Sequence, residues 1–417
     1  MIGLVDGNNF YVSCERVFDP RLEGRPVAVL SNNDGCCVSR SQEFKALGIP
    51  MGTPYFKLKP DIERLGLVLR SSNYELYGDL SRRVIATLQE FVPRVEQYSI
   101  DEAFIHPAEP DDADFDALGR RIRATVLKWV GIPCGVGFAP TKTLAKIANH
   151  IGKKSPSGVF VMPRDPSDVL RATPVEEVWG VGRRLAPKLS ALGIRTAFGL
   201  ASRDDSEIKR KFGVVLARTA MELRGTPCIV DEEPDAASKS VSCSRSFGHP
   251  VTSIVDLEEA VADYAARAAE KLRREHLLAA GANVYFEMYP EYAPVAIPAG
   301  AASTTVAFDA PTDDTGRIAA ALRTKIPGLF VKGRRYKKAG VIFFGLEDAN
   351  VRQGDLFAGN GQGESSKLYK AVDAINARFG RNTVFSLGEG IAKPWKMKRD
   401  LLTPSFTTDW KQLLEVK

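Results

Sequence analysis

The chain predicts a multidomain α+β protein, and three observations carry that prediction. Its 417 residues exceed what one hydrophobic core usually supports, so roughly two to four domains are expected. The first 165 residues alternate strand-like and helix-like stretches, whereas helical patterning takes over from Thr173. Beyond an acidic, non-periodic stretch at 229–239, which reads as a linker, the element order becomes β-α-β-β-α-β, that of a split βαβ module.

In the first part, strands are expected at Ile2–Asp6, Val27–Leu30, Val95–Ile105, Cys134–Ala139 and Val159–Met162. Leu118, Ile122, Val126 and Trp129 recur at helical spacing, as do Leu144, Ile147 and Ile151 after Thr141. Helices layered on a sheet follow from that alternation. Thr141-Lys142-Thr143 opens the second of these helices, which runs on to Gly152-Lys153-Lys154. Its amino terminus and lysines form either a phosphate cradle or an ordinary capped helix with solvated lysines. Gly135-Val136-Gly137 just before it lacks the third glycine of a dinucleotide fingerprint.

In the helical part, Val178-Trp179-Gly180-Val181-Gly182-Arg183-Arg184 precedes Leu185, Leu189 and Leu192. Its glycines suit a hairpin whose backbone N–H groups face a phosphate, or a plain inter-helix turn. The last module is expected as a strand from Ser240 to Phe247, a helix from Leu257 to His276, and strands Ala282–Met288 and Thr304–Phe308. A helix from Thr315 to Ile326 and a strand from Ala339 to Leu346 complete it, with Val261, Tyr264, Ala268 and Leu272 sharing one face of the long helix.

Composition narrows the function classes. Hydrophobic content of 44% and charged content of 26% describe a chain that folds around buried cores. Net charge is +6, but residues 317–417 hold 19 Lys or Arg against 9 Asp or Glu, a balance of +10 that leaves −4 for the rest. The carboxyl-terminal quarter is therefore the part to meet a polyanion, with Lys332-Gly333-Arg334-Arg335-Tyr336-Lys337-Lys338 as its densest run, unless that run is a solvated face. Trp395, among Lys393, Lys396 and Lys398, either stacks on a base or packs in a small terminal subdomain. Six cysteines without a C-x-x-C pair and four scattered histidines argue against zinc. Neither a basic-then-apolar leader nor an 18-residue apolar run is present, so a cytoplasmic protein with no membrane association is expected.

The chemistry-bearing signal is acidic. Asp6 ends the first strand, and Asp101-Glu102 sits inside Tyr98-Ser99-Ile100-Asp101-Glu102-Ala103-Phe104. Adjacent side chains on a strand point to opposite faces, so an apolar strand carrying both acids must end or twist at a reaction site. Three converging carboxylates repel unless cations sit among them, and hard oxygen ligands select Mg²⁺ or Mn²⁺. Two such ions roughly 3.5–4 Å apart serve in-line phosphoryl displacement. The bland alternative has each acid capping a turn or pairing with a surface lysine.

These residues are accompanied by Asp6-Gly7-Asn8-Asn9-Phe10-Tyr11-Val12-Ser13-Cys14-Glu15, Leu30-Ser31-Asn32-Asn33-Asp34-Gly35-Cys36, Ser71-Ser72-Asn73-Tyr74-Glu75-Leu76-Tyr77, Thr141-Lys142-Thr143-Leu144-Ala145-Lys146 and Cys243-Ser244-Arg245-Ser246-Phe247-Gly248. Together with the Trp179 segment they make a pattern that resembles the Y-family DNA polymerases, within them the UmuC type, over nearly the whole chain. The resemblance implies a right-hand polymerase: a palm at 1–19 and 78–168, small fingers at 20–77, a helical thumb with a helix-hairpin-helix at 169–235, a little finger at 240–347, and a clamp- and partner-binding extension at 348–417. It implies that Asp6, Asp101 and Glu102 are catalytic and hold two Mg²⁺ ions, that Tyr11 is a steric gate against the ribose 2′-OH, and that Lys45 and Lys153 contact the triphosphate. Gly180, Gly182, Arg183 and Arg245 are implied DNA contacts. Gln353-Gly354-Asp355-Leu356-Phe357 is similar to a sliding-clamp peptide, with Gln353, Leu356 and Phe357 as its anchors. Two departures stand out: Gln42 where many relatives carry a tyrosine, and Gly354 where an aliphatic residue is more usual.

The activity implied is error-prone translesion synthesis in the SOS response, with damaged primer-template DNA, dNTPs, the clamp, a UmuD′ dimer and RecA as partners. A nucleotide cyclase shares a palm with paired acids but needs neither the Trp179 hairpin nor a basic DNA-facing module. A non-catalytic clamp-linked scaffold would have no use for an intact set of acids.

Overall fold

A computed structural model describes residues 1–108, 110, 113–229, 239–289, 301–351 and 362–413, with 362–366 described by backbone alone. Nearly all of the expected linker and the whole of Gln353–Phe357 lie outside the described residues. The chain divides into two compact units, Met1–Glu233 with Leu401–Lys417, and Pro234–Asp400.

Strands of the first unit are β1 (Ile2–Gly7), β2 (Val27–Leu30), β3 (Cys37–Arg40), β4 (Val68–Ser71), β5 (Arg94–Gln97), β6 (Glu102–His106), β7 (Cys134–Ala139) and β8 (Val159–Val161). Five of them form a sheet in the order β5-β6-β1-β7-β8, with β1 antiparallel to both neighbours. Alternation along the strands serves two layers. Val5, Ala103, Ile105, Val136 and Phe138 meet the helices Tyr74–Gln89 and Phe115–Val130 on one face. Leu4, Phe104 and Ala139 meet the Lys142–Gly152 helix on the other. The single strand expected at Val95–Ile105 is instead two antiparallel strands, because Tyr98 to Asp101 turn. In the Phe115–Val130 helix, Val130 continues the buried i, i+4 row of Leu118, Ile122 and Val126, and Trp129 is left 59% exposed.

Between β1 and β5 the chain inserts a small sheet, β3-β2-β4, with β2 and β4 parallel, closed over Leu30, Phe44, Leu58 and Leu69. After β8 come the helices Ser167–Ala172, Ala186–Ala191, Ala197–Ala201, Asp205–Phe212 and Val214–Leu223. Of the leucines expected to pack there, Leu189 is fully buried while Leu192 is exposed.

The second unit contains β9 (Val241–Val251), the helix Ile254–Arg274, β10 (Leu277–Met288), β11 (Ala301–Thr312), the helix Thr315–Arg323 and β12 (Tyr336–Asp348). Its sheet order is β11-β10-β12-β9 with every neighbouring pair antiparallel. Therefore β9 and β10 run parallel with β12 between them, and β11 and β12 run parallel with β10 between them. Two split βαβ units interlock, as the element order predicts. Val261, Tyr264, Ala268 and Leu272 line the buried face of the long helix.

The expected extension from 348 divides. Trp395 is buried in the second unit, edge-on to Tyr264 at 5.6 Å, which decides for packing over base stacking. Lys393 is buried beside it with Nζ 2.6 Å from Asp263. From Leu401 onward the chain belongs to the first unit. Much of the basic run leading into β12 is also engaged: Arg334 is buried, and Lys337 and Lys338, within β12, both reach Glu287 at 3.4 and 3.3 Å. Among the described residues no helix is long and apolar enough to cross a membrane.

Candidate active site

Three local features deliver the acids to one end of the five-stranded sheet. Asp6 lies directly across from Glu102 in the β1–β6 register. Asp101 sits just outside β6, and its carbonyl accepts the Gly7 N–H at 2.8 Å, so the turn is pinned to the end of β1. Ser99 Oγ holds the turn closed, accepting from the Glu102 and Asp101 N–H groups at 3.0 and 3.3 Å and donating to Asp101 Oδ1 at 2.6 Å. An adjacent acidic pair on an apolar strand is thus accommodated by ending the strand between its two members.

Each carboxylate has its own neighbour. Lys153 Nζ is 2.6 Å from Asp6, and Lys146 Nζ is 2.8 Å from Glu102. Burial raises the Asp6 carboxyl to a pKa of about 6; Lys153 opposes this, and Glu102 and Asp101 add to it. Among the described residues no three carboxylate, imidazole or thiol groups converge tightly enough in this conformation to ligate one ion. The donor set nevertheless suits a hard cation, because Asp6 is held above its ordinary range by burial and by two like charges that a single lysine does not balance.

The Lys142–Gly152 helix supplies the cations from one face. Lys142, Lys146, Asn149 and Lys153 recur every three or four residues; Lys142 pairs with Glu96 at 2.8 Å and Asn149 donates to the Leu4 and Gly135 carbonyls. Gly135 and Gly137 on β7 make this packing feasible. A Cβ on Gly137 would lie 2.1 Å from the Asn149 backbone nitrogen, and one on Gly135 would lie 2.6 Å from Lys153 Cγ. The helix amino terminus is no phosphate cradle: the Thr143 N–H and hydroxyl both donate to Glu222 Oε2 at 2.9 Å, and Glu222 is buried. An internal carboxylate already satisfies that end of the helix dipole.

A second cationic group gathers after β1. Lys45 Nζ donates to Asn9 Oδ1 at 2.6 Å, and its pKa is lowered by burial, then by the like charges of Arg40 and Lys153. Lys45, with the charges of Arg40 and Lys153 acting on it, is the electrostatic counterpart of a polyanion. Gln42 is exposed one turn before Lys45 on the Gln42–Ala46 helix. Tyr11, on the helix Phe10–Phe18, lies face to face with Tyr77 at 4.6 Å and edge-on to Tyr74 at 5.8 Å. Burial, with Tyr74 and Asp101 assisting, pushes its hydroxyl up to about 12.

Gly180, Gly182 and Arg183 are exposed on the hairpin, with Gly180 in the left-handed region at φ 85°. Trp179 anchors this hairpin edge-on to Tyr98 at 5.5 Å, and Lys146 Nζ lies over both rings. Arg245 is exposed on β9 of the second unit, where Nη1 donates to the Ser244 carbonyl. Gln353, Leu356 and Phe357 are outside the described residues. Sequence reasoning missed Lys146, Arg40, Tyr74 and Tyr77 as site residues. For Lys146 the signal was available in its spacing of four from Lys142 and seven from Lys153; for Arg40 only the folded insertion reveals it.

Paired acids on a palm-like sheet serve nucleotide cyclases as well, but the glycine hairpin and the interlocked second unit do not belong to that class. Together with them, the site fits the polymerase expected from the sequence better than a cyclase. Comparison with known proteins narrows this further. The impB/mucB/samB family matches residues 5–150, its HHH motif 165–194 and its C-terminal domain 238–356, and a domain of unknown function, DUF4113, matches 366–416. Protein UmuC of Salmonella typhimurium is 46% identical over the full length of both chains, and Protein SamB of the same organism 41%. DNA polymerase IV 1 of Bacillus subtilis is 28% identical over 91% of each chain. A chimera of the Y-family DNA polymerases Dbh and Dpo4 shares the fold at a TM-score of 0.65 and 22% identity, over 83% of this chain and 99% of its own. The chain belongs to the impB/mucB/samB family.

Proposed function

We propose that this chain is an error-prone translesion DNA polymerase of the SOS response, acting in the cytoplasm and extending a DNA primer with dNTPs across damaged template. The observation that carries the reading is the register of Asp6 opposite Glu102, with Asp101 pinned to the same strand end. Asp6, Asp101 and Glu102 would hold Mg²⁺ or Mn²⁺. Bound ions supply charge neutralisation of the triphosphate and a more acidic primer hydroxyl. The primer 3′-oxygen would give its proton to solvent and bond to the α-phosphorus as the bond to the leaving pyrophosphate breaks.

In this reading Lys45 and Lys153, with Arg40 nearby, bind the triphosphate and offset charge that builds on it. Lys153, now 2.6 Å from Asp6, would be free to turn to the triphosphate if an ion took that carboxylate. The Tyr11 ring closes the sugar side, and its stacking on Tyr77 supports a gate of fixed position. Gly180, Gly182, Arg183 and Arg245 contact the DNA backbone, and Gln353, Leu356 and Phe357 engage the sliding clamp. A UmuD′ dimer and RecA complete the expected assembly by family resemblance.

The test is extension of a primed template across an abasic site with Mg²⁺ and dNTPs, with clamp and activated partners supplied. Insertion by the wild type and none by Asp101→Ala/Glu102→Ala supports the proposal. DNA binding without insertion by either chain would replace it with the scaffold reading.

A further inference from the structure

The segment after Leu401 returns to the first unit at a point that bears on the Tyr11 ring. Its backbone pairs with the end of β4: the Ser71 N–H donates to the Leu401 carbonyl at 3.0 Å, and the Leu401 N–H to Ser71 Oγ at 3.0 Å. Asn73, whose Oδ1 caps the helix Tyr74–Gln89, turns its amide to Thr403 Oγ1 at 3.1 Å and to the Thr403 and Pro404 carbonyls at 3.4 Å. Phe406 stacks flat on Phe18 at 4.9 Å, at the end of the helix that carries Tyr11. One strap thus touches both helices whose tyrosines meet.

Between those helices lies a buried polar link. Glu15, one turn beyond Tyr11, is 1% exposed, and its Oε1 accepts the Tyr77 hydroxyl at 2.7 Å and the Thr403 hydroxyl at 3.3 Å. Tyr77 is itself fully buried and lies 4.6 Å from Tyr11 with the rings only 14° from parallel. A buried carboxylate has few orientations that satisfy its donors, so removing one donor frees it to turn toward another. Thr403, 388 residues away in sequence, supplies one of the two hydroxyls.

We infer that Thr403 is a positioning residue for the Tyr11 ring, acting through Glu15 and Tyr77, so that the strap Leu401–Phe406 helps set discrimination between deoxyribose and ribose. The inference rests on the reading of Tyr11 as the sugar-sensing ring. A ring backed by a fixed partner excludes a hydroxyl group; one whose partner shifts by a few tenths of an ångström yields to it. The effect is specific to ribonucleotides, which separates it from simple loss of stability.

The experiment measures kcat/KM for a dNTP and for the matching rNTP on a primed template, using the full chain with its partners. Variants are Thr403→Val, Thr403→Ser, Tyr77→Phe and Tyr11→Ala. Thr403→Val and Tyr77→Phe are expected to lower the dNTP-to-rNTP ratio about fivefold, the worth of one hydrogen bond, chiefly through KM for the rNTP. Thr403→Ser is expected to restore it. An unchanged ratio in Thr403→Val and Tyr77→Phe, beside a relaxed one in Tyr11→Ala, overturns the inference and leaves the gate standing. An unchanged ratio in Tyr11→Ala overturns the gate and the inference with it. Should a variant fail to extend, nucleotide Kd values on a dideoxy-terminated primer give the same ratio by binding, and an unchanged ratio there overturns the inference or the gate in the same way.

Discussion

Lys153 Nζ stands 2.6 Å from Asp6 Oδ1, a cation from the end of one helix resting on the carboxylate at the end of the central strand. Without that lysine the carboxylate would be a buried acid beside two others. With it, Asp6 still titrates near 6, because burial outweighs the attraction.

The first prediction concerns pH. The folded chain holds a proton on Asp6 between about 4 and 6 that the unfolded chain has released. Its contribution to stability is therefore present below pH 4 and lost as pH rises through 6. If Asp6 ligates the ion as proposed, binding must displace that proton, so affinity for Mg²⁺ or Mn²⁺ is expected to fall roughly tenfold per unit below pH 6. Calorimetric titration from pH 5 to 7 checks this, and a flat affinity would count against it.

In the proposed metal site, Lys146 would compete with the ion for Glu102 in the same way, from 2.8 Å. Replacing it in Lys146→Met removes the competitor, so the free chain is expected to bind Mn²⁺ a few-fold more tightly, in line with about 1 kcal/mol for a partly exposed pair. Weaker binding in the variant would mean that Lys146 holds Glu102 in place for the ion.

Two glycines on β7 are expected to behave differently. In Gly137→Ala the new methyl meets the Asn149 backbone at 2.1 Å, so the helix itself must shift, at a cost of about 3 kcal/mol in urea unfolding. In Gly135→Ala the nearest atoms to the new methyl are those of the Lys153 stem, which can rotate away. That variant should lose less stability, and its Asp6 should titrate higher than the wild type once Lys153 is displaced. The reverse order of stabilities would refute this account of the packing.

In the second unit, Lys393 and Asp263 form an ion pair that is 3% and 1% exposed. Lys393→Met leaves Asp263 with Arg267 alone of its two lysine or arginine partners and is expected to destabilise this unit by about 3 kcal/mol. Denaturation followed by Trp395 fluorescence would reveal it. Loss below about 0.5 kcal/mol would show that the segment near Trp395 is a detachable appendage.

Deletion of Gln353 to Phe357 is expected to weaken clamp binding at least tenfold while basal extension persists. Equal affinity after deletion removes the clamp assignment.

Much of the architecture is written in periodicity. The helix spacing of Leu118, Ile122 and Val126, the full apolar run of β7, and the β-α-β-β-α-β order all survive into the structure, because they are local consequences of which faces must be buried. The meeting of the acids at one strand end was legible for a related reason: Asp101-Glu102 conflicts with its apolar surroundings, and a local conflict of that kind marks a candidate site. Where sequence and structure part, the cause is again shared. Val95–Ile105 is continuous in β character, and nothing in it says that Ser99 will close a turn. Lys142 and the amino terminus of its helix invite a phosphate, but Glu222, eighty residues away, takes that place.

What the sequence by itself determined is most of the elements outside the small inserted sheet, the candidate acids and the family, since each depends on neighbours within a few residues or on a linear motif. Tertiary structure alone decided which charges meet: Lys153 with Asp6, Lys146 with Glu102, Glu15 with both Tyr77 and Thr403. Those pairings join residues 44 to 388 positions apart, and a charge or hydroxyl carries no mark in sequence of the distant group that will desolvate it.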